Sequence, residues 1–137
     1  MAQPAYGLKT RTTLDVVAAE ARVRELLTNE GFGILTEIDV AETLRAKLGL
    51  TRGPYRILGA CNPHLAAEAL EKEADVGLLL PCNVVVYEDG TSTVVAVLDP
   101  STMVSLTNNP ALEHVASEAL VRLQRVVDAL SEHASES

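Results

Sequence analysis

The amino-acid sequence predicts a single domain of the α+β class, in which helices cover one sheet. Its 137 residues are the usual length of one domain. Segments with apolar residues at alternate positions follow segments with apolar residues at helical spacing, which indicates both strands and helices. Residues 83–88 and 92–98 flank Asp89-Gly90 and form a clear hairpin pattern. The hairpin requires antiparallel pairing in at least part of the sheet, which favours α+β over a doubly wound parallel fold.

The first strand and the first helix are predicted at the start of the chain. Residues 6–12 predict the strand, and Thr12 or Thr13 is expected to cap the helix, with Asp15 near its positive end. Gly31 is expected to end the helix, because glycine adopts the left-handed conformation at little cost. The apolar stripe of the helix is Val16, Ala19, Val23, Leu26 and Leu27.

The next segments predict a strand, a short helix and another strand. Asp39 followed by Glu42 resembles a capping box, and Gly49 is expected to end the helix that it opens. Residues 55–61 predict the third strand. The second strand is expected to be half-buried, and its alternating apolar face is Phe32, Ile34, Thr36 and Ile38.

Asparagine–proline pairs indicate the starts of two further helices. Asn62 caps the first, which runs over residues 64–72, and Asn109 caps the last helix. Residues 76–81 form an apolar run that fits either a strand or a helix. We expect residues 101–108 to be a loop. The stripe of the last helix is Leu112, Val115, Ala119, Leu123, Val126 and Leu130.

The chain ends are expected to lie outside the packed core. We expect residues 1–137 to form one domain with a core over about residues 5–130, and the Ser/Glu-rich tail from Ser131 to be frayed.

Composition excludes several classes of partner. Aromatic residues make up only 3% of the chain, so the core must be aliphatic and few bases could stack on the surface. The net charge is −8, and between residues 57 and 121 Lys72 is the only cation against nine acidic residues. We therefore expect neither nucleic acid nor an anionic membrane as a partner.

Composition also predicts a cytoplasmic location. The first residues have no apolar run typical of a signal peptide, and no apolar stretch approaches the length of a membrane span. The two cysteines are too few for a disulfide framework, so we expect reduced thiols.

The two cysteines are the main candidates for chemistry. Cys61 directly precedes the helix opened by Asn62, where oriented N–H groups favour a thiolate. Cys82 lies between Pro81 and Asn83, so two Cys-Asn pairs are expected to meet at one end of the sheet. The alternative is that Cys61 is a small packed residue, since Tyr55 and Ile57 look core-facing and Cys61 is in phase with them. The spacing is not that of a zinc site, and the metal least excluded is Cu(I), with Met103 as a third ligand.

A second candidate group surrounds Glu37. Its phase with Gly33 and Leu35 would let it point into a cavity, where burial would favour the protonated form of a general acid. The alternative is a solvated Glu37 with Arg56 as a cross-strand ion partner, which would make both residues structural.

Three strings of the sequence carry a resemblance to a known family. LTEID at residues 35–39, YRILGACNP at 55–63 and GLLLPCNVVVYE at 77–88 closely resemble the bacterial and archaeal "domain of unknown function 302" family. The likeness extends over about residues 5–130. It implies a TATA-binding-protein-like α+β fold with a mainly antiparallel sheet, assembled as a homodimer, and it implies no activity. It also favours a helix end or a loop over a strand for residues 76–80.

These observations predict a dimeric binding module for a small ligand or a partner protein. No complete catalytic set is recognisable in the sequence, which favours binding over catalysis. The alternative is a thiol-dependent redox enzyme, or a soft-metal protein that binds Cu(I) through Cys61 and Cys82. The candidate site residues are Glu37, Arg56, Cys61, Asn62, Pro81, Cys82 and Asn83.

Overall fold

Strands and helices alternate along residues 3–135, which are the residues that the computed structural model describes; side chains are described through residue 131. The strands are β1 Gly7–Thr12, β2 Gly33–Asp39, β3 Tyr55–Cys61, β4 Cys82–Asp89 and β5 Ser92–Leu98. The α-helices are α1 Val16–Asn29, α2 Val40–Leu48, α3 Pro63–Lys72, α4 Thr102–Thr107 and α5 Glu113–Ser135. Short 3-10 helices span Ala74–Leu79 and Pro110–Leu112.

The five strands form one sheet in the order β1-β5-β4-β3-β2, and every neighbouring pair is antiparallel. This confirms the α+β class and the antiparallel sheet. Strands β4 and β5 form the predicted hairpin, in which Asp89 pairs with Ser92 and Gly90 takes a positive φ of 63°. A left-handed residue suits this tight turn, and glycine adopts that conformation without a steric penalty.

The main core lies between α1, α5 and one face of the sheet. The apolar stripes predicted for the two helices point into it, with Val23, Leu27 and Leu123 fully buried. From the sheet the core takes alternate residues of the three central strands, because side chains at every second position share a face. These residues are Leu58, Ala60, Val84, Val86, Val95 and Val97.

A second apolar cluster lies where α3, α4 and the first turns of α5 meet. The 3-10 helix Ala74–Leu79 contributes Val76, so residues 76–80 are a helical turn and a loop, as the resemblance implied. The members of this cluster are Ala69, Val76, Met103, Leu112, Val115 and Ala116.

Some helix boundaries differ from the sequence predictions. Helix α1 is capped by Asp15, whose carboxylate accepts a hydrogen bond of 2.8 Å from the amide of Ala18; Thr12 is instead a buried strand residue. Residues 102–107 form α4 rather than a loop, ended by Asn108 at a φ of 54°. Helix α5 continues past Ser131 to Ser135, and residues 136–137 lie outside the described part.

Strand β2 is an edge strand with mostly exposed side chains, and its predicted alternation is wrong. Ile34 pairs with Ala60, but the next pair is Thr36 with Gly59, so Leu35 is an extra residue in a β-bulge. The bulge turns Thr36 and Ile38 to the face opposite Ile34. Of the predicted face, only Phe32 is fully buried, and Ile38 is 45% exposed.

The predicted phase of β3 is also wrong. Leu58 and Ala60 are fully buried against the helices, so Tyr55, Ile57 and Cys61 occupy the alternate positions. Both phases of the strand are apolar, and its alternation therefore does not distinguish the two faces. None of the described helices is both long and apolar enough to cross a bilayer.

Candidate functional site

The two cysteines lie at the same end of the sheet. Strand β3 ends at Cys61, its neighbour β4 begins at Cys82, and Ala60 pairs with Cys82. Both cysteines line a narrow cavity of about 20 Å³, together with Met103. The volume is that of about one water molecule. The other walls are Phe32, Ala60, Asn62, Leu65, Ala66, Ala69, Leu80, Val115 and Ala119.

The two thiols differ in environment. Cys82 is 7% exposed, while Cys61 is half-buried. Burial, and to a smaller extent the nearby Cys61, raise the pKa of the Cys82 thiol from 9.0 to about 11. Cys82 is therefore a neutral, packed thiol at physiological pH.

The remaining residues of the two Cys-Asn pairs have structural contacts. Asn62 is largely buried, and its side-chain oxygen accepts a hydrogen bond of 3.3 Å from the amide of Leu65, which confirms the predicted cap of α3. Pro81 lies over Gly59, and Asn83 pairs with Gly59 and is exposed to solvent. The helix cap explains the asparagine at position 62, and the close contact with Pro81 explains the glycine at position 59.

Glu37 and Arg56 lie away from the cysteines, in a surface ion-pair network. The side chain of Glu37 is 51% exposed, which agrees with the solvated alternative and not with a position inside a cavity. The bulge at Leu35 places Glu37 beside α1, where it pairs with Arg24 at 2.6 Å and with Arg56 at 3.6 Å. Arg56 also donates to Glu20 at 2.8 Å, so the alternative reading of an ion partner is confirmed.

A second, much larger cleft opens at the other end of β3, and the sequence interpretation missed it. Its volume is about 530 Å³, within the range of pockets for small ligands. The first turns of α1, helix α2 and residues 50–56 enclose it. No motif marks it, and the only signal is the concentration of Arg45, Arg52 and Arg56 in an acidic chain. The lining residues are Val16, Val17, Glu20, Asp39, Ala41, Glu42, Arg45, Leu50, Thr51, Arg52, Pro54, Tyr55 and Arg56.

Tyr55, which lines this cleft, stacks with its ring on Tyr87 on the face of the sheet opposite α1. The rings of Tyr55 and Tyr87 stack at a centroid distance of 5.1 Å and an interplanar angle of 7°. The guanidinium carbon of Arg52 lies 4.9 Å from the centre of the Tyr55 ring, in a cation–π contact. Arg52 is thereby held on an ordered aromatic platform.

The candidate metal ligands of the sequence interpretation are Cys61, Cys82 and Met103. Within the described residues, no three His, Cys, Asp or Glu side chains are grouped so that they could hold a metal ion. Met103, the third soft ligand that the sequence interpretation offered, lines the same narrow cavity as Cys61 and Cys82.

The comparisons with known proteins address the family and the fold. The sequence profile of "Domain of unknown function DUF302" matches residues 8–130. The chain belongs to this family. The structure of this DUF302 protein is similar to the crystal structure of an uncharacterized conserved DUF302 protein from Bacillus stearothermophilus. The two sequences are 33% identical, and the TM-score is 0.86. The match covers 93% of this DUF302 chain and 99% of the other. A search of curated proteins gives no significant match.

Proposed function

We propose that the protein is a dimeric binding module that holds a small ligand in the cleft between α1, α2 and residues 50–56. The observation that carries this proposal is the cleft itself, about 530 Å³ of space with apolar walls and ordered polar groups. The cavity at the Cys-Asn pairs is only about 20 Å³, so we place the small-ligand site in the cleft instead. Of the predicted site residues, Arg56 lines the cleft and Glu37 supports Arg56 from outside.

A homodimer is supported by the face of the sheet opposite α1 and α5. Ile38, Ile57, Val85 and Ala96 pair in one cross-strand row on that face, and Lys9 of β1 ends the row at the sheet edge. Antiparallel sheets with one free face normally carry polar residues there, so an apolar row favours a covered face. A second copy of the chain is the occupant that we propose, because twofold dimers are the commonest soluble oligomers and bury the same surface patch on both copies.

Filling the cleft tests the ligand-binding proposal. Val17 is 81% exposed on α1 and lines the cleft, so Val17→Trp would fill the space without disturbing the core. Val121→Trp, at a half-exposed position on α5, is the matched control. We expect a library of small molecules to give NMR-detected binders to the wild type and to the control but not to Val17→Trp. Equal binding by all three proteins would contradict a ligand site in the cleft.

Sedimentation velocity tests the dimer. The wild type should sediment as a dimer at micromolar concentration, and Val85→Lys should be monomeric because a charge on the apolar row cannot be buried. Val121→Lys, on an exposed helix position, should remain dimeric. A monomeric wild type would contradict the proposal.

A second candidate function is soft-metal or thiol chemistry at the cysteine cavity, in a cytoplasmic protein with reduced thiols. The observation that favours it is the placement of Cys61, Cys82 and Met103 around one cavity. Two thiolates and a thioether are a ligand set that Cu(I) prefers. Because Cys82 must lose a tightly held proton, binding would weaken as the pH falls.

A competition titration tests the metal candidate. Under anaerobic conditions, the wild type should remove Cu(I) from a chromophoric chelator, and Met103→Leu should do so more weakly. Cys61→Ser and Cys82→Ser should each abolish the competition. Competition by the double cysteine variant equal to that of the wild type would exclude this site.

A further inference from the structure

We propose that the cleft takes a small amphipathic anion, whose carboxylate or phosphate group is bound by Arg52. The apolar part of the ligand would lie against Val17 and Leu50. This inference rests on the proposed function, since it names the chemical class of ligand for the same cleft.

The charges of the cleft leave one guanidinium without a carboxylate. Arg56 is occupied by Glu20 at 2.8 Å and lies 3.6 Å from Asp39. Arg45 pairs with Glu42 through both Nε and a terminal nitrogen. Within the part of the chain that the structure describes, Arg52 has no carboxylate in ion-pair distance, and its Nε donates at 3.2 Å to the carbonyl of Gly53. Arg52 therefore retains N–H donors in the fork geometry that matches carboxylate and phosphate groups.

Arg52 is preorganised as an anion-binding group. Its contact with Tyr55, which itself stacks on Tyr87, restricts a side chain that otherwise has many rotamers. Less conformational freedom is then lost when an anion is bound, which favours affinity.

The apolar walls define the other half of the ligand. Val17 is 81% exposed and Leu50 is 53% exposed, although both line a concave surface. An apolar ligand body would remove these side chains from water, which is the main source of affinity in small-molecule sites. Pro54 extends this apolar wall.

The single free guanidinium also limits the size and charge of the anion. Polyanions such as nucleic acids are held by several cations at once, and the net charge of the chain is −8. The cleft offers one unpaired cation and a bounded volume. This combination fits one anionic group on a compact apolar body.

Titrations with four probe molecules test the inference. Octanoate and octyl phosphate carry the two anionic groups on the same apolar chain, 1-octanol lacks the charge, and acetate lacks the chain. We expect at least one of the two amphipathic anions to bind the wild type more tightly than 1-octanol and acetate do. Arg52→Gln should weaken that binding by about tenfold or more, and Arg52→Lys, which keeps the charge but not the fork, should weaken it less. Arg11→Gln, at a surface ion pair with Asp89, is the matched control and should bind like the wild type.

The outcomes separate this inference from the proposed function. A preference for octanoate assigns a carboxylate ligand, and a preference for octyl phosphate assigns a phosphate. Equal affinity of the wild type and Arg52→Gln for both anions would overturn the anion inference, while loss of that binding in Val17→Trp would keep the cleft as a ligand site. If no probe binds the wild type at millimolar concentration, the anion inference fails, and the small-molecule screen with Val17→Trp decides the proposed function separately.

Discussion

Gly59 of β3 lies directly beneath the ring of Pro81, which precedes β4. A Cβ atom at position 59 would stand 2.7 Å from Cγ of Pro81 and would overlap the hydroxyl of Thr36 as well. Only glycine permits this close approach of the two strands beside the cysteine cavity.

Replacement of Gly59 should therefore destabilise the protein. We expect Gly59→Ala to lower the free energy of unfolding by about 1–3 kcal/mol, because the proline ring and the bulged strand must shift to admit a methyl group. Urea unfolding measures the effect. Gly33→Ala is the control, since nothing lies within 4 Å of its added Cβ, and its stability should change by less than about 0.5 kcal/mol. Equal effects of the two substitutions would contradict the close contact.

Two asparagine caps should contribute measurable stability. Asn62 accepts from the amide of Leu65 at 3.3 Å, and Asn109 accepts from the amide of Ala111 at 3.0 Å. Asn62→Ala and Asn109→Ala should each lower the free energy of unfolding by about 1 kcal/mol. Asn29→Ala, at an exposed position in the last turn of α1, should have little effect. An unchanged midpoint in both cap variants would refute these caps.

The two thiols should differ in reactivity with iodoacetamide. Cys82 is buried and holds its proton with a pKa of about 11, so only about one molecule in ten thousand is a thiolate at neutral pH. Cys61 is half-buried at the end of β3 and should be alkylated first. Peptide mapping after timed labelling identifies the modified residue. Labelling of Cys82 before Cys61, or of neither in the native protein, would leave Cys61 without support as the reactive thiol.

Stability should fall at high pH because of Cys82. The folded protein holds this proton more tightly than the unfolded chain does, so the stabilisation is complete below about pH 9 and is lost as the pH rises to about 11. The loss should reach at most about 3 kcal/mol. Urea unfolding across this range should give a shallower decline for Cys82→Ala than for the wild type. Cys61→Ala should keep the steep decline, and identical slopes in all three proteins would contradict the raised pKa.

The helices could be predicted from the sequence because their signals are local. The stripes of α1 and α5 repeat at helical spacing, and Asn62 caps α3 as predicted. Asn109 caps the 3-10 helix Pro110–Leu112 rather than the last α-helix, which begins at Glu113. The exception is α4, which lies in a Ser/Thr/Asn-rich segment and is helical because Met103 packs into the second apolar cluster. Propensity alone favours a loop there, and tertiary packing overrides it.

The sequence did not predict which face of β2 and β3 packs against the helices. In β3 both phases are apolar, so Leu58 and Ala60 are distinguished from Tyr55 and Ile57 only by where the helices lie. In β2 the extra residue Leu35 reverses the alternation, and a bulge leaves no mark in the period-two pattern before the partner strand is known.

The sequence by itself determined the α+β class, the hairpin and most helix boundaries. These follow from short-range periodicity, capping and turn chemistry, which depend on residues close together in the chain. Only the tertiary structure decided which candidates share a site. It separated Glu37 and Arg56 from the cysteines, because the two groups lie toward opposite ends of β3. It also assembled the cleft from Val17, Asp39 and Arg52, whose distant positions in the chain meet only when α1 and α2 pack beside β3.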